Sequence, residues 1–435
     1  MSAACTPPLD LPNAVRDAKP TVGRNPRLGR AAEILPGLAF GLADVAAAEA
    51  RWRRFDPLLA RLFPELATGR IDSALLPLSA DLAALVSGRP GASAWVKADH
   101  DLPITGCIKA RGGVYEVLVE AERLGLAAGW LSGAPSYARL ADPDVRAAFG
   151  AHTIAVGSTG NLGFSVGVIH RALGFQVEVH MSHDAKAWKK RRLRDLGARV
   201  VEHAGDYGRA VAVARVAFEG RADAHFVDDE SSKDLFLGYV AAAFDLQRQL
   251  EAAGVSVDAA HHLCVYLPCG VGGAPGGVTL GLKLLYGDAV RCVFVEPVAA
   301  PCMLVQLAAG SARSVSVYEI GLDNRTAADG LAVAAASMLV AGTVVALVEA
   351  VVTVSDADLF AWLRDLWDRA GLRLEPSAAA AFAAVGPACG VLPDVAHATH
   401  VVWTTGGALL PEAEFQAALA QAARNRAAEA ECSIQ

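Results

Sequence analysis

The stretch Gly106-Cys107-Ile108-Lys109-Ala110-Arg111-Gly112-Gly113 places one lysine among small residues where an amphipathic pattern begins. Apolar residues follow at helical spacing from Val114 to Leu124, so the pattern predicts that Lys109 lies at or just before a helix N-terminus. The positive end of a helix macrodipole favours the neutral form of an amine there, and a neutral amine is nucleophilic toward aldehydes. The stretch alone also fits an ordinary surface lysine, so motifs elsewhere in the chain decide between the two.

Composition indicates a packed globular protein. The chain has 435 residues, of which 53% are hydrophobic and 20% are charged, and this length predicts roughly two to three domains. The net charge of −7 argues against a nucleic-acid partner. The eight cysteines form no CxxC pair, and no basic segment followed by an apolar one opens the chain. We therefore expect a protein of the reducing cytoplasm.

One uncharged run raises the question of a membrane segment. Residues 331–348 carry no charged side chain and are long enough to span a bilayer. The run contains glycine, serine and threonine, lacks flanking tryptophan or tyrosine, and sits inside an α/β pattern. A buried core helix is the better prediction, and no membrane partner is expected.

Strand-like and helix-like segments alternate from about residue 150. Thr153-Ile154-Ala155-Val156 predicts a buried strand, and it is followed by the glycine-rich loop 157–163 and then by a helix. Further strands are predicted near residues 175–180 and 199–202. Such alternation with short loops is typical of a parallel α/β sheet.

A second glycine-rich loop, residues 268–277, follows the predicted strand 263–267 and leads into a helix. Its five glycines let backbone N–H groups close around an anion at the helix N-terminus. Glu296 stands where a dinucleotide site would have its acidic residue, but Pro275 takes the third glycine position of that fingerprint. No Lys-Ser/Thr pair makes a Walker loop. A cup for one phosphate fits better than either, with an ordinary strand–helix turn as the alternative.

The last predicted strand, residues 400–403, runs into Thr404-Thr405-Gly406-Gly407. Ligands in open α/β sheets bind at such carboxyl ends of strands.

Together these motifs resemble those of fold-type II pyridoxal-phosphate enzymes, and longer segments resemble the bacterial D-serine dehydratases over about residues 40 to 420. The first set comprises residues 108–113, 157–161, 269–273 and 405–407. The second set comprises residues 180–182, 187–190, 227–230, 235–239 and 326–333.

The resemblance implies a tryptophan-synthase-β-like fold of class α/β. Two open, twisted, mostly parallel α/β domains would hold the cofactor between them. The small domain would span residues 150–235, and residues 76–149 with 236–435 would form the large cofactor-binding domain. Residues 1–75 would be a helical segment packed on the large domain.

The resemblance also implies a role for each motif. Lys109 would hold pyridoxal 5'-phosphate as a Schiff base and act as the catalytic base at Cα. The phosphate cup would be formed by Gly270, Val271, Gly272, Gly273 and Gly276. Asn161 would contact the ring oxygen of the cofactor, and Thr405 would contact its pyridine nitrogen. Ser158, Thr159 and Gly160 would face the substrate carboxylate, and Glu296 would lie near a monovalent cation, K⁺ or Na⁺.

The implied reaction is β-elimination of D-serine to pyruvate and ammonia through an aminoacrylate. The expected partner is a small amino-acid substrate, and the protein would be a monomer or a small homo-oligomer. Two alternatives stay open. One is a dehydratase of L-serine or L-threonine on the same fold. The other is a non-catalytic relative that binds the cofactor or an amino acid, which Cys107 favours because the family usually has serine at that position.

Overall fold

The computed structural model describes residue 9 and residues 11–133, 136–310 and 312–432. Within those residues, eleven strands form one sheet of seven strands and one of four. In chain order the strands are β1 (Thr21–Arg24), β2 (Leu75–Pro77), β3 (Ala94–Lys97), β4 (Thr153–Gly157), β5 (Gln176–Ser182), β6 (Arg199–His203), β7 (Ala224–Val227), β8 (Leu263–Pro268), β9 (Val290–Pro297), β10 (Ala350–Val354) and β11 (Thr399–Trp403).

Seventeen α-helices connect and cover these strands in the described part of the chain. They are α1 (Asn13–Arg16), α2 (Ala31–Ile34), α3 (Leu42–Leu62), α4 (Ala80–Ser87), α5 (Lys109–Ala127), α6 (Pro143–Phe149), α7 (Asn161–Leu173), α8 (Ala187–Asp195), α9 (Tyr207–Phe218), α10 (Lys233–Val240), α11 (Ala242–Ala252), α12 (Gly273–Tyr286), α13 (Cys302–Ala309), α14 (Met338–Val344), α15 (Asp356–Ala370), α16 (Pro376–Val391) and α17 (Glu412–Cys432). Short 3₁₀ helices occur at Leu35–Gly37, Asp99–Asp101, Tyr137–Ala141, Gly287–Ala289 and Val317–Ile320.

The larger sheet has the order β1-β10-β9-β8-β11-β3-β2. Its five central strands are parallel, and the two edge strands, β1 and β2, run antiparallel to their neighbours. Every residue of the middle strand β8 is buried, as expected for a parallel strand covered by helices on both faces. The alanine-rich helix α16 packs on β8 and β10, where its small side chains allow close approach.

The smaller sheet has the order β6-β5-β4-β7, and all of its pairs are parallel. Its strands lie between residues 153 and 227, inside the range expected for the small domain. Helices α7 and α9 pack against β4 and β5. The fold is therefore α/β with mostly parallel sheets, as the sequence predicted.

Two segments differ from their sequence-based expectation. The N-terminal segment is not only helical, because β1 pairs antiparallel with β10 and extends the larger sheet. The uncharged run 331–348 is not one helix, since only Met338–Val344 is helical. The residues before that helix form a loop, in which the Ser337 N–H donates to the Val271 carbonyl at 2.8 Å. The run thus supports the glycine-rich loop instead of forming a long core helix.

In the described residues, no single helix combines the length and the apolar character needed to cross a bilayer. One bent pair, Ala31–Gly37 with Leu42–Leu62, meets those criteria only when its two helices are taken together.

Candidate active site

Lys109 is the first residue of α5, and its loop is tied to the loop after β11. The Ile108 N–H donates to the Thr405 carbonyl at 2.8 Å, and Cys107 forms a bridge with Gly406. The lysine side chain is 21% exposed, and its Nζ lies 3.0 Å from Asp229 Oδ2. The predicted helix start is confirmed, and the lysine amine faces a buried carboxylate.

The glycine-rich loop between β8 and α12 is buried throughout. Gly272 has φ of 112°, and a Cβ there would lie 2.5 Å from Met303 Cε. The first amides of a helix lack partners inside it, and Gly273 and Ala274 both open α12 and line the cleft. Together with the positive helix end, these amides make the loop suited to an anion.

The loop 158–161 connects β4 to α7. The Ser158 hydroxyl accepts the N–H groups of Gly160 and Gly163, each at 2.9 Å, so this side chain shapes its own loop. Gly160 has φ of 140°, and a Cβ there would lie 2.3 Å from Lys189 Cδ. Asn161 Nδ2 donates to Glu375 Oε1 at 3.0 Å. Nδ2 also lies 3.3 Å from Glu375 Oε2, so both contacts of this nitrogen are to one carboxylate, which orients the Asn161 amide.

Thr405 follows β11, and its hydroxyl oxygen is buried without a hydrogen-bond partner among the described residues. The neighbouring Thr404 hydroxyl is fully used, because it donates to the Lys97 carbonyl at 2.9 Å and contacts His100 Nδ1 at 2.8 Å. A buried hydroxyl without a partner is costly unless a ligand supplies one. Thr405 is therefore placed to bind a polar ligand atom.

These loops surround one open cleft of about 660 Å³. The predicted site residues that line it are Lys109, Ser158, Thr159, Asn161, Gly270, Val271, Gly272, Gly273 and Thr405. The carboxyl ends of strands in both sheets meet here, which is why motifs far apart in sequence come together.

Three predicted residues do not line this cleft. Gly160 lines a second cavity of about 400 Å³ together with Cys107 and Glu375. The Gly276 N–H donates to the Gly272 carbonyl at 2.8 Å inside α12, and a Cβ at Gly276 would lie 2.3 Å from Val340 Cγ1. Gly276 thus makes room for packing and has no free amide for the phosphate cup.

The third of these residues, Glu296, is fully buried at the end of β9. Its carboxylate accepts the N–H groups of Met303 at 2.7 Å and Leu304 at 2.9 Å, which caps the first turn of α13. Burial raises the pKa of Glu296 to about 8, and the two amides only partly oppose this effect. Among the described residues, no group of three or more histidine, cysteine, aspartate or glutamate side chains could hold a metal ion.

Cys107 does not touch the cleft. Its sulfur is buried 3.5 Å from Ser165 Oγ, and burial raises the pKa of the thiol. The departure from the usual serine therefore places a thiol between the loop before α5 and helix α7.

Sequence reasoning missed four polar cleft residues, namely Tyr207, Asp229, Glu375 and Ser377. Burial is the main cause that raises the pKa of Glu375, and nearby Lys189 opposes that effect. Asp229 lies in the matched segment 227–230, which was the one available signal. Nothing local marks Tyr207 or Glu375.

The cleft residues fit a cofactor that carries a phosphate, an aldehyde and a ring nitrogen. The start of α12 would supply backbone donors for the phosphate, and Lys109 would supply the amine for the aldehyde. The unpartnered Thr405 hydroxyl would supply a contact for the ring nitrogen.

Comparisons with known proteins point the same way. Residues 80–406 match the family described as pyridoxal-phosphate dependent enzyme. A probable D-serine dehydratase of Burkholderia lata is 51% identical over 422 residues, which cover 94% of this chain and 94% of that protein. One of Chromobacterium violaceum is 51% identical over 408 residues, 90% of this chain and 91% of that protein. The crystal structure of Escherichia coli diaminopropionate ammonia lyase in complex with D-serine has a TM-score of 0.71 and 18% identity, over 92% of this chain and 97% of that chain. This last likeness shows the fold.

Proposed function

The chain belongs to the pyridoxal-phosphate dependent enzyme family, and we propose that it converts D-serine to pyruvate and ammonia. The observation that carries the proposal is a single cleft that holds Lys109, the anion-binding start of α12 and the unpartnered hydroxyl of Thr405. The relatives named probable D-serine dehydratase, 51% identical over at least 90% of this chain, support the choice of substrate.

Besides Thr405, the chain's own groups would hold the cofactor at three points. Lys109 would bind its aldehyde, the loop of Gly270, Val271, Gly272 and Gly273 its phosphate, and Asn161 its ring oxygen. Gly276 would support that loop from within α12. When bound, pyridoxal phosphate withdraws electrons from Cα of the amino acid, so that a bond to that carbon can break.

Lys109 would then accept the proton that leaves Cα. The resulting ammonium needs a counter-charge, and Asp229, 3.0 Å away and 6% exposed, supplies it. Asp229 is thus proposed to hold the lysine amine in place and to stabilise its charged form.

Thr405 would contact the ring nitrogen. A neutral hydroxyl, unlike a carboxylate, does not hold a proton on that nitrogen. Thr405 would thus leave the nitrogen unprotonated, a setting that favours loss of the β-substituent over return of the proton to Cα.

The substrate carboxylate would lie against the loop of Ser158, Thr159 and Gly160. Thr159 lines the cleft with no hydroxyl contact among the described residues, so its side chain is free to donate. The Ser158 hydroxyl already accepts two backbone amides, and its role would be to hold the loop in shape.

We further propose that Glu296 binds a monovalent cation, K⁺ or Na⁺. Oε1 accepts the Met303 N–H and lies 3.5 Å from Cys302 Sγ, whereas Oε2 accepts the Leu304 N–H alone and keeps a lone pair for a cation, which would favour the ionised form. Exchange of K⁺ and Na⁺ for tetramethylammonium should lower activity, and Glu296→Gln should remove the cation response. An unchanged response in that variant would refute this assignment.

We expect the enzyme to act in the cytoplasm, as a monomer or small homo-oligomer, without a nucleic-acid or membrane partner. The described cysteines Cys107, Cys264, Cys269, Cys292, Cys302 and Cys389 are buried free thiols, which suits a reducing compartment.

Pyruvate formation by the purified holoenzyme tests the function. Coupled to lactate dehydrogenase, D-serine should give a kcat/KM at least about tenfold above L-serine or L-threonine, equivalent to about 1.4 kcal/mol of discrimination. A preference for either L-amino acid would indicate the alternative dehydratase. A normal cofactor spectrum without pyruvate from any of them would indicate a binding protein.

A further inference from the structure

Two buried side-chain hydroxyls that line the cleft lack a hydrogen-bond partner among the described residues, those of Thr405 and Tyr207. Thr405 has a role at the cofactor ring, but Tyr207 has none so far. Tyr207 is 7% exposed and begins α9, with Asp206 as its N-cap. A buried phenol without a partner is costly, so its position calls for a ligand atom.

Tyr207 lines the cleft and also a second cavity. Lys109 and Asp229 line the cleft with it, and Ser158 and Thr159 line both cavities. A molecule that fills the cleft therefore comes into contact with this side chain.

The phenol can act only as a proton-bearing group in this setting. Burial raises the pKa of Tyr207 well above its ordinary value, and the carboxylates of Asp229, Glu230 and Asp228 raise it further, with Arg215 opposing them. The hydroxyl therefore keeps its proton and offers it to an acceptor.

Assigning the groups of serine leaves one without a protein partner. The amine of the substrate would bind near Lys109, where the cofactor aldehyde is held, and its carboxylate would contact the loop 158–160. The remaining polar group is the β-hydroxyl. Ser377, another cleft hydroxyl, has a partner because it accepts the Gly330 N–H at 3.1 Å. Tyr207 is the buried cleft hydroxyl that this assignment leaves with no partner among the described residues.

We propose that Tyr207 donates a hydrogen bond to the β-oxygen of the substrate. This inference rests on the proposed function. When the Cβ–O bond breaks, its electron pair leaves with the oxygen, and a donor stabilises the charge that develops there. The hydroxide lost from Cβ and the proton lost from Cα together account for the water released. Tyr207 keeps its own proton throughout.

The test compares two leaving groups. Tyr207→Phe should lower kcat for D-serine by about 10- to 100-fold with a smaller change in KM, because the interaction strengthens as charge develops. β-Chloro-D-alanine loses chloride, a stable anion that needs no donor, so its kcat should change less than about threefold. Tyr239→Phe is the control for loss of a buried, unpartnered hydroxyl that does not line the cleft, and it keeps the ring whose centroid lies 5.9 Å from Lys109 Nζ.

Equal losses with both substrates would overturn the inference, since Tyr207 would then serve folding or the carboxylate. No loss with D-serine would overturn it as well. A loss with D-serine that Tyr239→Phe reproduces would show a general effect of buried hydroxyls and would also refute it. Failure of the proposed function looks different, because the wild-type enzyme would then bind cofactor and release no pyruvate from D-serine.

Discussion

One added methyl group at Gly272 probes the anion-binding loop. The backbone there has φ of 112°, which side-chain-bearing residues rarely adopt, and a Cβ would lie 2.5 Å from Met303 Cε and 3.2 Å from Val340 Cγ1. Backbone strain of about 1–3 kcal/mol and overpacking of about 1–3 kcal/mol act together. The end of Met303 can move, so we expect Gly272→Ala to lower the free energy of unfolding by about 2–4 kcal/mol.

Gly287 at the other end of α12 is the matched control. Its φ is 57°, and no described atom lies within 4 Å of the position a Cβ would take. With ψ of −132° this backbone is also strained for a residue that has a Cβ, so Gly287→Ala should cost backbone strain of about 1–3 kcal/mol and no overpacking. The difference between the two variants in free energy of unfolding reports the overpacking at Gly272.

The assay is denaturant unfolding with and without pyridoxal phosphate. A ligand stabilises the folded state in proportion to the logarithm of its concentration over Kd, so each tenfold loss of affinity lowers that stabilisation by about 1.4 kcal/mol. Gly272→Ala should displace the amides of the loop and reduce the stabilisation by pyridoxal phosphate by at least about 1.4 kcal/mol. Gly287→Ala should be stabilised by pyridoxal phosphate as much as the wild type is. Equal stability of the two variants, with wild-type cofactor affinity in both, would refute the assignment of the loop.

Two further predictions follow from neighbouring and buried groups. Thr404→Val should cost about 1–3 kcal/mol in thermal unfolding because it removes bonds to the Lys97 carbonyl and His100, whereas Thr405→Val should cost nothing and instead weaken cofactor binding. If Thr405→Val were less stable than Thr404→Val, the assignment of Thr405 as the unpartnered hydroxyl of the cleft would be wrong. Burial lowers the pKa of His400 from 6.5 to about 4, so the unfolded chain binds the proton first and about 3 kcal/mol of stability is lost as pH falls across that window. His400→Gln should lose less over the same range in urea unfolding, and an identical pH slope would count against this cause.

Residues next to strand ends were predictable because local pattern places them. Glycine-rich loops after apolar strands mark the carboxyl edge of a parallel sheet, and that edge holds the site. The loop after β8, the loop after β4 and Thr405 after β11 all lie there. Lys109 was predictable as well, since the apolar spacing after it marks the start of α5.

The remaining cleft residues were not predictable, because tertiary packing brings them in. Asp229 reaches Lys109 across 120 positions of sequence, and Glu375 reaches Asn161 across 214. No helical or strand period links such pairs. Glu375 and Tyr207 also stand at helix starts, where a polar residue is ordinarily a cap.

The sequence pattern also failed to predict strand β1 and the loop in the run 331–348, for two other reasons. The strand β1 has only four residues and gains its stability from pairing with β10, so its own sequence carries little strand signal. The run 331–348 is apolar because it is buried against the glycine-rich loop, and burial does not require a helix.

Mapping the lysine that binds pyridoxal phosphate tests the central claim most directly. Borohydride reduction of the holoenzyme fixes the cofactor to its amine, and peptide mass spectrometry then locates it. We predict that the label lies on Lys109 and is absent from the Lys109→Ala variant. Lys97 and Lys189 are buried and paired with Asp72 and Asp329, so neither should carry it. A label on Lys97 or Lys189, or one that persists in Lys109→Ala, would contradict the account.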